Sequence, residues 1–169
     1  MNQMDSVDFY RSFHTHPVNK IIHVFCIPLI VLTTINFLSK LSLQIRLPFM
    51  KNQAVYKPHT KQIMYKTLYI NSYVITSLYN LYYYVFWNFK IGFIMQIYIG
   101  FLYILGEIWR DFDKKWLKHN IIIFASAWIL QFIGHAIEGN RPALMTSLSQ
   151  TVFQAPLLTL EYVYPNLLN

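Results

Sequence analysis

The sequence predicts an all-α fold, a polytopic membrane bundle of about four spanning or nearly spanning helices with short interfacial helices beside them. The first observation behind this prediction is composition. Of the 169 residues, 55% are hydrophobic and only 12% are charged, whereas soluble domains carry about 25% charged residues. One soluble core would leave much of this apolar surface exposed to water, so lipid is the expected solvent. The length fits a single membrane domain over residues 1–169.

The second observation is a set of four apolar segments that contain no acidic residue, lysine or arginine. They cover residues 21–39, 68–89, 91–106 and 120–137. A helix needs about 20 residues to cross a hydrocarbon core of about 30 Å. The third segment is therefore marginal, and only Lys90 separates it from the second. We expect these two segments to form a tight helical hairpin, with the aromatic residues at its turn anchored in the membrane interface.

The remaining segments are expected at the membrane surface. Residues 1–20 form an N-terminal interfacial segment, residues 40–67 a basic loop without any acidic residue, residues 107–119 a solvated connection, and residues 138–169 a C-terminal interfacial segment with one more helix. The basic residues flank apolar segments and do not form one soluble face, so membrane lipid is the expected partner and nucleic acid is not. The first apolar segment is expected to remain as a membrane anchor.

Four crossings would bring the histidines of both ends of the chain to one face of the membrane. His14, His16 and His23 lie around the start of the first apolar segment, and His135 lies near the end of the fourth. An even number of crossings returns the chain to its starting face, whereas an odd number would separate the histidines by the whole bilayer. The count therefore predicts that these side chains lie at the same depth.

Helical spacing brings the histidines closer still. Pro17 suits the first turn of a helix, with His16 at the cap and His14 outside it, able to fold back over His23 from a short N-terminal helix. Asn19 shares a helix face with His23, four residues later. His135 and Glu138, three residues apart, share a face in the same way.

Imidazoles beside apolar segments are costly unless they have partners, so these histidines indicate proton chemistry or a metal. One loop histidine, His14, and two helix histidines, His23 and His135, can close three positions around a first-row ion such as Fe(II) or Zn(II). The spacing does not choose between the two ions. An interfacial, purely structural role for the histidines is the alternative.

Two stretches resemble a known family. The first is Tyr10-x-x-x-His14-x-x-Pro17-x-Asn19-x-x-x-His23. The second is Trp128-x-x-Gln131-Phe132-x-Gly134-His135-x-x-Glu138-x-x-x-Pro142. Together they look like the small membrane family of the fungal 2-hydroxy fatty acid dioxygenase. The resemblance covers both ends of the chain and leaves residues 40–66 unmatched.

The resemblance implies an Fe(II)-dependent enzyme of fatty acid alpha-oxidation in the endoplasmic reticulum membrane. Such an enzyme uses O2 to convert a 2-hydroxy long-chain fatty acid into CO2 and a fatty acid one carbon shorter. His14, His23 and His135 then correspond to the metal ligands, and Asn19 and Glu138 are expected to complete the catalytic site. The alternatives are a non-enzymatic membrane scaffold or lipid-remodelling protein with structural histidines, and another lipid-modifying metalloenzyme such as a hydroxylase.

The charge distribution and the expected chemistry favour opposite orientations in the membrane. Ten of the 14 lysines and arginines fall on the face opposite the histidines if the chain crosses four times, and the positive-inside tendency makes that face cytoplasmic. Ferrous iron and fatty acid metabolism instead favour the reducing cytosol. We give the chemistry more weight and expect the histidines to face the cytosol.

Overall fold

Helices make up most of the structure, a computed structural model that describes residues 3–40, 43–49, 64–165 and 167–168. In chain order they are α1 (Gln3–Arg11), α2 (Pro17–Leu38), α3 (Ser72–Phe86), α4 (Phe89–Phe112), α5 (Trp116–Glu138) and α6 (Leu148–Val163), with a 3-10 turn at Ala143–Met145 before α6. Helices α2, α4 and α5 are long and apolar enough to cross a membrane. The 15 residues of α3 reach about 22 Å, which nearly spans the hydrocarbon core. The predicted helical membrane bundle is confirmed.

The region predicted as a basic loop contains part of a β-hairpin instead. Strand β1 (Leu43–Phe49) pairs antiparallel with β2 (Met64–Ile70), with Leu43 opposite Ile70. Large apolar residues alternate with other types along β1, a pattern of period two that is typical of strands. The loop prediction was wrong for these residues because the basic residues were given more weight than this alternation. Residues 41, 42 and 50–63 of the predicted loop, which include Lys51, Lys57, His59 and Lys61, lie outside the described residues.

The two middle helices have different bounds from those predicted. Helix α3 begins only after β2, where the Asn71 side chain accepts a hydrogen bond from the backbone N–H of Val74. Asn88 caps α4 in the same way through the N–H of Ile91, so the turn of the hairpin lies two residues before Lys90. Tyr83 is one of the aromatic residues near this turn that were predicted to anchor in the membrane interface, but it is fully buried in the core with Met95.

Helix α4 is not marginal: its 24 residues make it longer than any other helix that the structure describes. It continues past the charged residues at which the apolar segment ends, because Arg110 finds an acceptor on the Asn36 side chain of α2 and an ion pair with Glu107. The predicted solvated connection over residues 107–119 therefore shrinks to the three residues between α4 and α5.

Helices α2 and α5 pack antiparallel and define two ends of the bundle. At one end, the histidine end, Asn19 of α2 lies against Gly134 of α5. At the other, the Asn36 end, the Asn36 side chain of α2 donates to Asn120 of α5 at 3.1 Å. Helix α6 packs against α1 and α2 at the histidine end and buries Leu158 there. Both histidine motifs thus lie at one end, as an even number of crossings predicts.

Candidate metal centre

Three histidines from distant parts of the chain meet at the histidine end. The Nε2 atoms of His14 and His23 are 3.0 Å apart. The ring centroid of His135 lies 4.9 Å from that of His14 and 5.1 Å from that of His23. Each ring offers a nitrogen within 4.8 Å of the nitrogens of the other two. All three side chains are buried, with exposed fractions of 1%, 3% and 4%. The predicted convergence is confirmed.

Backbone carbonyls fix the orientation of two of these rings. His14 follows the end of α1, and its Nδ1 lies 2.9 Å from the carbonyl oxygen of Tyr10, on whose ring it stacks. The Nδ1 of His23 lies 2.9 Å from the carbonyl oxygen of Asn19, one turn earlier in α2. A carbonyl oxygen only accepts, so both Nδ1 atoms must carry the hydrogen. In the neutral rings, both Nε2 atoms then present lone pairs.

Two lone pairs that face each other at 3.0 Å cannot form a hydrogen bond, and they repel unless a cation lies between or beside them. A proton is disfavoured there, because burial lowers the pKa of His14 to about 4. The Nδ1 of His135 is also buried and has no hydrogen-bond partner among the described residues. Three neutral imidazoles with unused nitrogens fit a divalent first-row metal, and carbonyls that orient such rings are typical of metal sites.

Glu138 holds the segment that carries His14 against α5. Its Oε1 accepts hydrogen bonds from the backbone N–H and the hydroxyl of Thr15 and from the N–H of His16, the last two at 2.7 and 2.8 Å. Its Oε2 accepts from the side-chain amide of Asn19. The predicted site residues Glu138 and Asn19 thus lie beside the histidines. These hydrogen bonds connect α5 to the α1–α2 turn and to α2. Glu138 is not part of the group of three histidines that can hold a metal.

A comparison with family models assigns the chain to a known family. The model described as 2-hydroxy-palmitic acid dioxygenase Mpo1-like matches residues 2–167. The chain belongs to the Mpo1-like family. The match confirms the resemblance drawn from the two terminal motifs, and it extends through the middle of the chain, which those motifs left unmatched. Among curated proteins and among solved structures, none matches the chain significantly.

The other two histidines that the structure describes are not part of the centre of this Mpo1-like chain. His16 is the N-cap of α2, as predicted, and its Nδ1 accepts from the N–H of Val18 at 3.2 Å. His119 lies near the start of α5, with a side chain that is 48% exposed and paired with Asp113.

Two cavities adjoin the three histidines. A groove of about 860 Å³ is lined by His14, Lys20 and residues of α2 and α6. A cavity of about 20 Å³, enough for about one water molecule, is lined by residues that include His23, His135 and Gln131. The Nε2 of Gln131 is buried without a hydrogen-bond partner among the described residues.

Sequence reasoning did not single out Gln131 or Lys20 as site residues. A signal for Gln131 was present, because it precedes His135 by one helical turn and so shares its face. The signal for Lys20 was weaker. It lies one turn before Val24 on the same apolar helix, and only the packing of α6 turns that side of α2 into a groove.

Proposed function

We propose that this Mpo1-like protein is an Fe(II)-dependent dioxygenase that converts a 2-hydroxy long-chain fatty acid and O2 into CO2, water and the fatty acid one carbon shorter. The reaction balances without another reductant. The bond between the carboxyl carbon and the hydroxyl-bearing carbon breaks, and the substrate supplies all four electrons that O2 takes up. Two hydrogen atoms leave the substrate in water, one from the carboxyl group and one from the CH–OH group. We place the enzyme in the endoplasmic reticulum membrane with its histidines toward the cytosol.

The observation that carries this proposal is the pair of facing Nε2 atoms of His14 and His23, with both Nδ1 atoms committed to carbonyl oxygens. Structural histidines usually use both ring nitrogens in hydrogen bonds, since an unpaired buried polar atom is costly. Here the Nε2 atoms of His14 and His23 face each other, the Nδ1 of His135 has no partner among the described residues, and each of the three rings offers one nitrogen to a common group. That donor set suits a divalent first-row metal, and the dioxygenase in the family's description favours a metal that can activate O2.

Bound at His14, His23 and His135, iron would activate O2 and accept the hydroxyl and carboxylate oxygens of the substrate. The protein's own groups keep this site in shape. The carbonyls of Tyr10 and Asn19 hold the two facing rings in one tautomer. The burial of the three rings excludes bulk water from the reacting carbon, which protects reactive species from side reactions.

The test is a product assay on the full chain in detergent, with Fe(II), O2 and 2-hydroxypalmitate labelled at its carboxyl carbon. We expect labelled CO2 and pentadecanoate in equal amounts. Palmitate should release no label, because it lacks the hydroxyl that provides the second oxygen. Absence of CO2 from 2-hydroxy acids of every chain length tested would contradict the proposal and favour the non-enzymatic scaffold. A product that keeps all its carbons would favour a hydroxylase.

A further inference from the structure

The large groove beside the histidines has one charged group, an ammonium, without an anionic partner in the part of the chain that the structure describes. We call it the Lys20 groove, after the residue at its polar end. Its walls come from the end of α1, the loop after it, one face of α2 and the end of α6, and they include His14, Lys20, Ile21, Val24, Phe25 and Val163. Its volume of about 860 Å³ lies within the range of small-molecule sites.

The two cations of the Lys20 groove differ in whether they have an anionic partner. The Arg11 guanidinium forms ion pairs with both oxygens of Glu161 and with Asp8. Lys20 has no carboxylate within ion-pair distance among the described residues, and its Nζ lies 5.6 Å from the ring centroid of Tyr162. A cation above an aromatic face, beside apolar walls and without a counter-charge, is suited to an anion supplied from outside.

Beyond Lys20, the groove is lined mainly by apolar side chains that are exposed on the side of the bundle. Ile21 and Phe25 follow Lys20 on the same face of α2 and are 58% and 69% exposed, and Val163 of α6 is 56% exposed. Because α2 is long and apolar enough to cross the membrane, these side chains border the lipid. From Lys20 to Phe25 the helix rises about 7.5 Å. A longer acyl chain would therefore continue from the groove into the bilayer.

We infer that the Lys20 groove is the binding site for the fatty acid substrate, with the carboxylate at the Lys20 ammonium and the acyl chain along Ile21, Val24 and Phe25. This inference rests on the proposed function and adds a specificity-determining residue to it. His14, itself a wall of the groove, links the carboxylate end to the candidate metal centre. The hydroxyl-bearing carbon next to that carboxylate would thereby lie beside the three histidines.

The experiment measures equilibrium binding of palmitate and of methyl palmitate to the full chain, purified in detergent without added iron. Lys20→Met should raise the Kd of palmitate about tenfold, as expected for the loss of one charge-assisted hydrogen bond, and leave the Kd of methyl palmitate unchanged. Lys20→Arg should restore binding of the acid. Lys40→Met is the matched control. Lys40 follows the opposite end of α2 and also lies over an aromatic ring, with Nζ 5.1 Å from the centroid of Trp116.

A second pair of variants tests the path of the acyl chain without removing a charge. Val24→Trp should fill the groove and weaken palmitate binding while butyrate, which is too short to reach Val24 from Lys20, still binds. Ile129→Trp, on a 59% exposed position of α5 outside the groove, should bind both acids like the wild type. Equal loss in both variants would mean that the tryptophan acts only by disturbing the fold, and would overturn the assignment of the path.

The outcomes separate this inference from the proposed function. If palmitate binding depends on Lys20 but the protein never releases CO2, the groove is a fatty acid site and the proposed dioxygenase activity is wrong. Turnover of 2-hydroxypalmitate with the same KM and the same palmitate Kd in Lys20→Met would reject the groove alone. Lys20-dependent binding of hexadecyl phosphate but not of palmitate would also overturn the assignment, because the anion recognised would then be a phosphate.

Discussion

The two ends of the α2–α5 pair are built from the same residue types and differ in how completely their polar atoms are paired. Each end has a buried asparagine on α2, Asn19 or Asn36, that lies against a glycine of a neighbouring helix, Gly134 or Gly106. At the Asn36 end, the amide accepts from Arg110 and donates to Asn120, whose own amide donates to the carbonyl of Thr33.

At the histidine end, several polar atoms remain unpaired. The Oδ1 of Asn19, the Nε2 of Gln131 and the Nδ1 of His135 are buried without a hydrogen-bond partner among the described residues. The Nε2 atoms of His14 and His23 face each other. A fully paired buried network stabilises helix packing, whereas leftover polar atoms that converge cost stability and indicate a ligand. The Asn36 end therefore holds the bundle together, and the histidine end is organised to bind.

The largest effect is expected from the three histidines. His14→Ala, His23→Ala and His135→Ala should each abolish CO2 release from 2-hydroxypalmitate, since two imidazoles are too few to hold the metal with open positions for substrate and O2. The thermal unfolding temperature without metal should fall modestly, because each substitution leaves a cavity among buried side chains but also removes an unpaired nitrogen. His119→Ala is the control and should retain full turnover. Full activity in any two of the three variants would show that the ligand set is wrong.

Glu138→Gln should reduce turnover by about 10- to 100-fold, the usual effect of disturbing the groups behind metal ligands. The carboxylate accepts hydrogen bonds at both oxygens from Thr15, His16 and Asn19. A glutamine would turn an N–H toward at least one of these donors. The matched control is Glu107→Gln at the Asn36 end, which should retain turnover. Wild-type kcat in Glu138→Gln would mean that the hydrogen bonds of Glu138 have no part in activity.

Alanine substitutions at three helical glycines allow a direct comparison of the two ends. A Cβ at Gly134 would overlap the Oδ1 of Asn19, and one at Gly106 would overlap the Oδ1 of Asn36, whereas one at Gly100 meets nothing within 4 Å. Gly134→Ala should lower iron affinity and turnover, and Gly106→Ala should lower stability by about 1–3 kcal/mol, as overpacking does. Gly100→Ala should be neutral or slightly stabilising, since alanine favours helix. Iron titration and thermal unfolding should be measured on all three variants. Loss of iron in Gly106→Ala without loss of stability would contradict the assignment of stability to the Asn36 end and metal binding to the histidine end.

The smallest of these effects is expected from Asn36→Ala. The interhelical hydrogen bonds that it removes are each worth about 0.6 kcal/mol on average in a membrane bundle and at most about 1.7 kcal/mol. The unfolding temperature should fall modestly while the iron content stays at the wild-type level. Asn140→Ala, at an exposed position just after α5, provides the baseline for thermal unfolding. Loss of iron in Asn36→Ala at unchanged stability would show that the two ends do not have separate roles.

Hydropathy and helical spacing were sufficient for much of the fold and of the candidate centre. The apolar segments located all four helices of the bundle, and an even number of crossings predicted that His23 and His135 lie at one end. The position of Pro17 predicted the start of α2, the cap at His16 and the return of His14 over His23. These features depend on local sequence or on a simple count, and so they are readable without tertiary contacts.

The remaining features depend on partners far away in the chain. Helix α4 extends past Glu107 because Arg110 reaches Asn36, 74 residues earlier. The role of Glu138 depends on Thr15 and His16 of the α1–α2 turn and on Asn19 of α2, all of them 119 or more residues earlier in the chain. The Lys20 groove exists only because α6 packs beside α2. No periodicity along the chain encodes such pairings, and they became apparent only in three dimensions.

The most direct test of the central claim is an anaerobic titration of Fe(II) into the metal-free full chain, followed by measurement of iron bound per chain. We predict one iron per chain in the wild type, in His119→Ala and in Asn36→Ala, and less than a tenth of that in His14→Ala, His23→Ala and His135→Ala. Because the readout is stoichiometry, it does not depend on the identity of the substrate. Iron that binds equally well to the wild type and to the three histidine variants, or to none of them, would contradict the assignment of the histidine end as a metal centre.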